Sequence, residues 1–93
     1  MITSKMKRRI KRELSTEKPT IWVGKEAITP QIINEINRQL KKRKMVKVKI
    51  LRSALKGEKA RKVAGEIAQK TESLLIDVRG RTFMLYKHRK RSK

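Results

Sequence analysis

The stretch Thr20-Ile21-Trp22-Val23-Gly24-Lys25-Glu26-Ala27-Ile28-Thr29-Pro30 holds a strand, a glycine-led turn and the start of a helix in one short run. Ile21 to Val23 is an apolar β-type segment, and Gly24 ends it. Thr29 followed by Pro30 opens a helix: a hydroxyl that can take up a free N–H, then a proline where no N–H is needed. That helix is predicted to run to about Lys42, with Ile32, Ile33, Ile36 and Leu40 on its buried face. Met45-Val-Lys-Val-Lys-Ile-Leu51 then alternates. Val46, Val48 and Ile50 point one way and Lys47 and Lys49 the other, which predicts a half-buried strand with a basic exposed face. Strand, helix and strand in that order imply a parallel crossover.

The same reading extends to both sides. Upstream, Met6, Ile10 and Leu14 recur every four residues, a narrow apolar stripe on a helix capped by Thr3 or Ser4, with Ser15 to Pro19 as a loop. Downstream, Gly57 marks a loop, and Ala60, Val63, Ala64, Ile67 and Ala68 follow the helical period between Glu58 and Thr71. Their small side chains predict a helix lying close against a sheet. Ser73 to Arg79 and Thr82 to Tyr86 are strands joined by Gly80-Arg81 as a tight hairpin. The predicted fold is α/β, in the order α-β-α-β-α-β-β, with one mixed four-stranded sheet and helices packed against it. Residues 1–86 form a single domain, and the basic tail 87–93 is predicted to be disordered when free.

Charge restricts the partner. Among 93 residues, 28 Lys and Arg face only 8 Asp and Glu, a formal net charge of +20. Such a chain repels itself, and a polyanion relieves that repulsion by releasing its own condensed counterions. A merely solubilising surface mixes both signs and needs no such excess. The absence of Cys excludes disulfides and thiolate metal sites. No apolar run approaches the roughly 18 residues of a membrane span, and no apolar segment follows the basic N-terminus as in a signal peptide.

Catalysis finds little support. The one His is His88, in the tail, and it can neither build a metal site alone nor join a Ser-His-acid set on folded elements. Asp77 sits in a strand where Arg79 can neutralise it, so it reads as a structural carboxylate. The stretch from Gly24 to Thr29 is the sharpest feature. A glycine lets backbone approach a ligand, Lys25 adds a charge, and the following helix N-terminus offers unpaired N–H groups to a phosphate. A glycine in such a turn serves geometry alone about as often. Trp22 lies opposite Ile21 and Val23 on its strand. There it either stacks on a nucleobase or covers a core edge; the second use is the commoner, and Phe83 and Tyr86 are read the same way.

These landmarks together resemble the CRM (YhbY-like) domain family, which includes bacterial, archaeal single-domain and plant organellar members. Ile21-Trp-Val-Gly-Lys-Glu-Ala-Ile-Thr29 matches its glycine loop, Met45-Val-Lys-Val-Lys-Ile50 its basic strand and Gly80-Arg-Thr-Phe-Met-Leu-Tyr-Lys87 its final hairpin. The resemblance implies a fold similar to the C-terminal domain of translation initiation factor three, and RNA binding through a loop like the GXXG loop of KH domains. Ala27 replaces that pattern's second glycine. If the position needs a positive φ, alanine is strained there. The loop is then either less KH-like or more reliant on Lys25 and the helix N-terminus.

The resulting expectation is a cytoplasmic, monomeric, non-enzymatic protein that needs no cofactor and binds RNA mainly through phosphates. Its RNA is expected to be ribosomal RNA of the large subunit, with ribosomal proteins as possible neighbours, either during assembly or as a lasting component. The residues expected to touch RNA are Gly24, Lys25, Ala27 and Thr29 in the loop, and Arg8, Arg9 and Arg12 on the first helix. Lys41, Lys42, Arg43 and Lys44 follow at the end of the second helix, then Lys47 and Lys49 on the strand. Arg81 in the hairpin and Lys87, Arg89, Lys90 and Arg91 in the tail complete the set. The rival readings are a chaperone or splicing factor for other structured RNA, and a DNA-binding chromatin protein. The charge fits DNA equally well, but no helix-turn-helix or minor-groove wedge is evident.

Overall fold

Leu14 and Phe83 are both fully shielded from solvent, yet they belong to separate cores on opposite faces of one sheet. The computed structural model describes residues 3–24, 28–55, 57 and 59–87. Along them the chain forms α1 (Ser4–Ser15), β1 (Ile21–Val23), α2 (Pro30–Arg43), β2 (Met45–Ile50), α3 (Arg52–Leu55), α4 (Ala60–Lys70), β3 (Leu74–Arg79) and β4 (Thr82–Tyr86). The expected mixed four-stranded α/β sheet is present, and α3 is an addition to the predicted order. Four residues are too few to show a helical period, and α3 forms because Ala54 and Leu55 pack onto the core.

The strand order is β1-β2-β4-β3. β1 and β2 pair in parallel through the α2 crossover, while β4 pairs antiparallel with both β2 and β3. The crossover through α4 therefore skips a place, and the hairpin returns β4 to fill it. α2 and α4 cover one face, burying Ile36, Leu40, Val63 and Ile67 against Val23, Val48, Ile50, Phe83 and Leu85. α1 alone covers part of the other, placing Ile10 and Leu14 on Ile76, Met84, Tyr86 and Met45. A β-bulge between Leu75 and Asp77 leaves Ile76 unpaired and within this second core. Truncating Leu14, which seals it, costs about 2–5 kcal/mol.

Helix boundaries follow local chemistry. Thr3 Oγ1 accepts from the Met6 N–H at 3.1 Å, and Thr29 Oγ1 from the Ile32 N–H at 3.2 Å, with Pro30 in the first turn of α2. α4 starts at Ala60, the first residue of its apolar period, behind a Lys59 cap that makes no side-chain hydrogen bond. It ends in a Schellman turn: Glu72 takes φ 55°, its N–H donates to Gln69 O at 3.2 Å, and the Ser73 N–H donates to Ala68 O at 2.9 Å. α2 ends on Lys44 at φ 70°, whose N–H donates to Leu40 O at 2.7 Å.

Two expectations need correction. The second face of β2 is not a free basic surface, because α1 lies over it. Lys47 is half-buried there, and its ammonium donates to the carbonyls of Leu14 at 2.9 Å and Glu17 at 2.8 Å. Trp22, read as core cover, is instead 62% exposed. It shares the α1 side of the sheet, but α1 covers the other end of that face. Phe83 and Tyr86 are buried as expected.

Candidate functional site

The sheet register divides the candidate contacts between two ends of the molecule. At one end Val23 lies opposite Ile50, and Trp22, Lys49, Thr82 and Arg79 form one row across all four strands. Gly24 leaves the sheet here, and Arg81 is held here by the Ile50 N–H, which donates to its carbonyl at 2.6 Å. Thr29 and the first turn of α2 follow. At the other end, Met45, Tyr86 and Leu74 form a row, and the Lys87 N–H donates to Lys44 O at 2.8 Å. Lys87, assigned to the tail by sequence, thus extends this ladder. The 14 residues of α2 separate the ends by about 21 Å.

At the loop end, nothing among the described residues requires a glycine at position 24. Its φ is not positive, and a Cβ built on it meets nothing within 4 Å among the described residues. Among the described residues an alanine fits, and the glycine leaves that side of the backbone open. Beyond it, Ile28, Thr29, Pro30, Ile33 and Asn34 line a shallow depression together with Lys70 from the last turn of α4. Lys25, Ala27, Arg89, Lys90, Arg91 and His88 lie outside the described residues.

At the opposite end, Lys41, Lys42, Arg43 and Lys44 complete α2, where cations suit the negative end of the helix dipole. Arg9, Arg43 and Lys44 share a groove with Met6, Ile10, Met45 and Tyr86. Two of these cations are partly committed. Arg43 makes a two-pronged pair with Glu17, at 3.0 and 2.8 Å, and so ties α2 to the segment after α1. Arg9 lies 3.7 Å from Glu13 on its own helix. Arg8 and Arg12 are exposed on α1. The candidate cations therefore form two clusters plus the basic back of α1.

The shifted ionisable groups are all held charged. The bidentate hydrogen bonds of Arg43 pull Glu17 below the ordinary glutamate value, and those of Arg38 do the same to Glu35. The two arginines are raised by the same bonds. These shifts keep both carboxylates ionised, the reverse of what a general acid at neutral pH needs. Arg79 Nε donates to Asp77 Oδ2 at 2.9 Å, the neutralising pair expected for that carboxylate. Among the described residues, no group of three or more His, Cys, Asp or Glu could hold a metal ion, and no helix is long and apolar enough to cross a membrane.

Sequence reasoning missed Lys70 and Arg79 as candidates. Lys70 reaches the α2 N-terminus through helix packing, which leaves no local signature. Arg79 was legible as a strand end and a partner for Asp77; its place in the row of Trp22 depends on β4 entering between β2 and β3.

Comparison with known proteins agrees with this architecture. The chain is 34% identical over 88 residues to a Methanocaldococcus jannaschii protein named "Probable RNA-binding protein MJ0652", covering 95% of this chain and spanning 65% of that protein's length. It is 30% identical over 93 residues to the Bacillus subtilis "Probable RNA-binding protein YqeI", covering all of this chain and 95% of the relative. The fold matches the solution structure of the Staphylococcus aureus protein SAV1595, described as "a putative RNA binding protein", with a TM-score of 0.77 and 27% identity. That match covers 100% of this chain and 95% of the other. The CRS1/YhbY (CRM) domain model matches residues 2–87, and with the basic strand and closing hairpin in their places this chain belongs to that family.

Proposed function

We propose that this chain is a non-enzymatic RNA-binding module that grips structured RNA through its phosphates, and that its RNA is ribosomal RNA of the large subunit. It acts as a cytoplasmic monomer, in subunit assembly or as a ribosome-associated component beside ribosomal proteins. The observation that carries the reading is Gly24: among the described residues nothing lies within 4 Å of the place a side chain would take, its φ is not positive, and Thr29 caps the start of the helix that follows. A phosphate seated there meets helix N–H groups and a positive dipole end, with Lys25 next in sequence and Lys70 beside the first turn. The net charge of +20 supplies the long-range attraction, and the names of the two relatives support RNA as the polyanion. The domain of residues 1–86 makes the primary grip, and the tail beyond it widens the footprint.

Crosslinking and sequencing of bound RNA in native cells, with a Lys25→Glu control, tests this. Crosslinks at a few large-subunit sites, lost in the control, are the expected result. Crosslinks spread over tRNA or introns overturn the ribosomal assignment and retain RNA binding. No enrichment over an equally basic protein, with stronger retention of duplex DNA, overturns the RNA reading itself.

A further inference from the structure

We infer that the open end of the sheet face bearing Trp22 is a subsite for unpaired RNA, in which one base stacks on the Trp22 indole while flanking phosphates lie on Lys49 and Arg79. The inference rests on the RNA-binding reading above and adds a contact to the base itself. Trp22 alternates with Ile21 and Val23, which are buried beneath α2 and α4, so its ring is on the α1 side of the sheet. α1 does not reach it. The last row that α1 clamps is that of Lys47, whose ammonium holds the carbonyls of Leu14 and Glu17. One row further on stand Trp22, Lys49, Thr82 and Arg79. Trp22 is 62% exposed and the Arg79 side chain 64%, while Lys49 and Thr82 are half-buried.

The chemistry of the row selects its occupant. The chain has one Trp, one Tyr and one Phe. Phe83 and Tyr86 belong to the cores, so Trp22 is the one aromatic left facing water. A protein-binding anchor is ordinarily ringed by apolar groups with lysine depleted. Here the ring's row carries two cations and a hydroxyl. Adjacent strands lie about 4.8 Å apart, so Lys49 is one spacing from Trp22 and Arg79 three, about 14 Å. Asp77 holds Arg79 through Nε, which orients the guanidinium and offsets one charge. An aromatic face with cations along one line suits a strand of alternating bases and phosphates. A duplex keeps its base faces stacked and out of reach, so the subsite selects unpaired nucleotides. β1 is an edge strand, and Gly24 is two residues beyond Trp22, so RNA held at Gly24 can continue directly onto the indole.

Because Trp22 is the only Trp, its emission reports on the subsite without a label. The intact chain is titrated with a short single-stranded oligoadenylate and with an RNA duplex of the same length. Trp22 emission and the anisotropy of the labelled RNA are followed together. Oligoadenylate is expected to quench the emission as it binds, and the duplex to bind with little quenching. Trp22→Ala should weaken oligoadenylate binding about tenfold and Trp22→Phe much less, with duplex affinity unchanged. Binding seen by anisotropy with unchanged emission, or equal affinity of Trp22→Ala and wild type, overturns the subsite and leaves the RNA reading standing. No binding of either RNA overturns both. The quenching arm uses the wild-type chain, so it stands even if a variant misfolds.

Discussion

Lys47 reaches from β2 to the C-terminus of α1 and donates from Nζ to the Leu14 carbonyl at 2.9 Å. A second bond, to the Glu17 carbonyl at 2.8 Å, makes it a clip between the sheet and the helix. Hydrogen bonds to a charged donor each contribute about 1.5–3 kcal/mol, and removing the donor leaves carbonyls short of a partner. Lys47→Met should therefore lower the unfolding free energy by about 2 kcal/mol in urea titrations. Lys49→Met, on the same face one row away, should leave stability within about 0.5 kcal/mol of wild type. It should instead reduce the slope of log affinity for RNA against log salt by about one. If both variants change salt dependence and neither changes stability, the division between a structural and a binding lysine is wrong.

Gly24→Ala separates binding from folding. The added methyl meets nothing in the described structure, and the backbone there is not left-handed. Stability should hold or rise by up to about 1 kcal/mol, because alanine restricts the unfolded chain. RNA affinity should fall, because the methyl occupies the side where a phosphate approaches. Thermal melts and filter binding on one preparation check this; unchanged affinity refutes the proposed grip at Gly24.

Lys44 holds a left-handed conformation, with φ 70°, that costs a non-glycine residue about 1–2 kcal/mol. Lys44→Gly relieves it, less what glycine adds to unfolded-chain entropy. The expected outcome is a gain on the order of 0.5 kcal/mol in chemical denaturation. A simultaneous loss of RNA affinity would place the α2 C-terminal cluster in the interface, whereas unchanged affinity would assign the footprint to the loop end alone.

The Glu17–Arg43 pair predicts a pH dependence. Hydrogen bonds from Arg43 depress the folded-state pKa of Glu17, so its stabilisation is present above the ordinary glutamate range. It is lost as pH falls through the lower folded value. The pair is more than a third exposed on the Arg43 side, so solvent screening limits it to about 0.5–1 kcal/mol. Glu17→Gln should be less stable than wild type by that amount near neutrality, and the two should converge in acid. A constant difference at all pH values would show that Glu17 acts through packing rather than charge.

Much of this fold is written locally. The Thr29-Pro30 helix start, the alternation of Met45 to Ile50 and the Gly80-Arg81 hairpin each depend on contacts within a few residues, and each forms where the chain predicts it. The left-handed helix end at Lys44 was not legible, because lysine carries no preference for that conformation. Neither was α3, whose four residues are held by packing rather than by period. The candidate contacts were legible as residue types, but their grouping was not. Lys47 and Lys49 are indistinguishable in the strand pattern, and only the arrival of Leu14, 33 residues away in sequence, makes one of them a helix clip.

By itself, then, the sequence determined every element except α3, the mixed sheet and the polycationic character, since helix caps, side-chain alternation and net charge are short-range or additive properties. Tertiary structure alone decided that β4 lies between β2 and β3 and that α1 covers only part of one sheet face. It also left Trp22 in water on a row with Lys49 and Arg79. These outcomes arise because two apolar helix faces and one narrow stripe must each find a surface to bury, and that choice is made between residues distant in the chain.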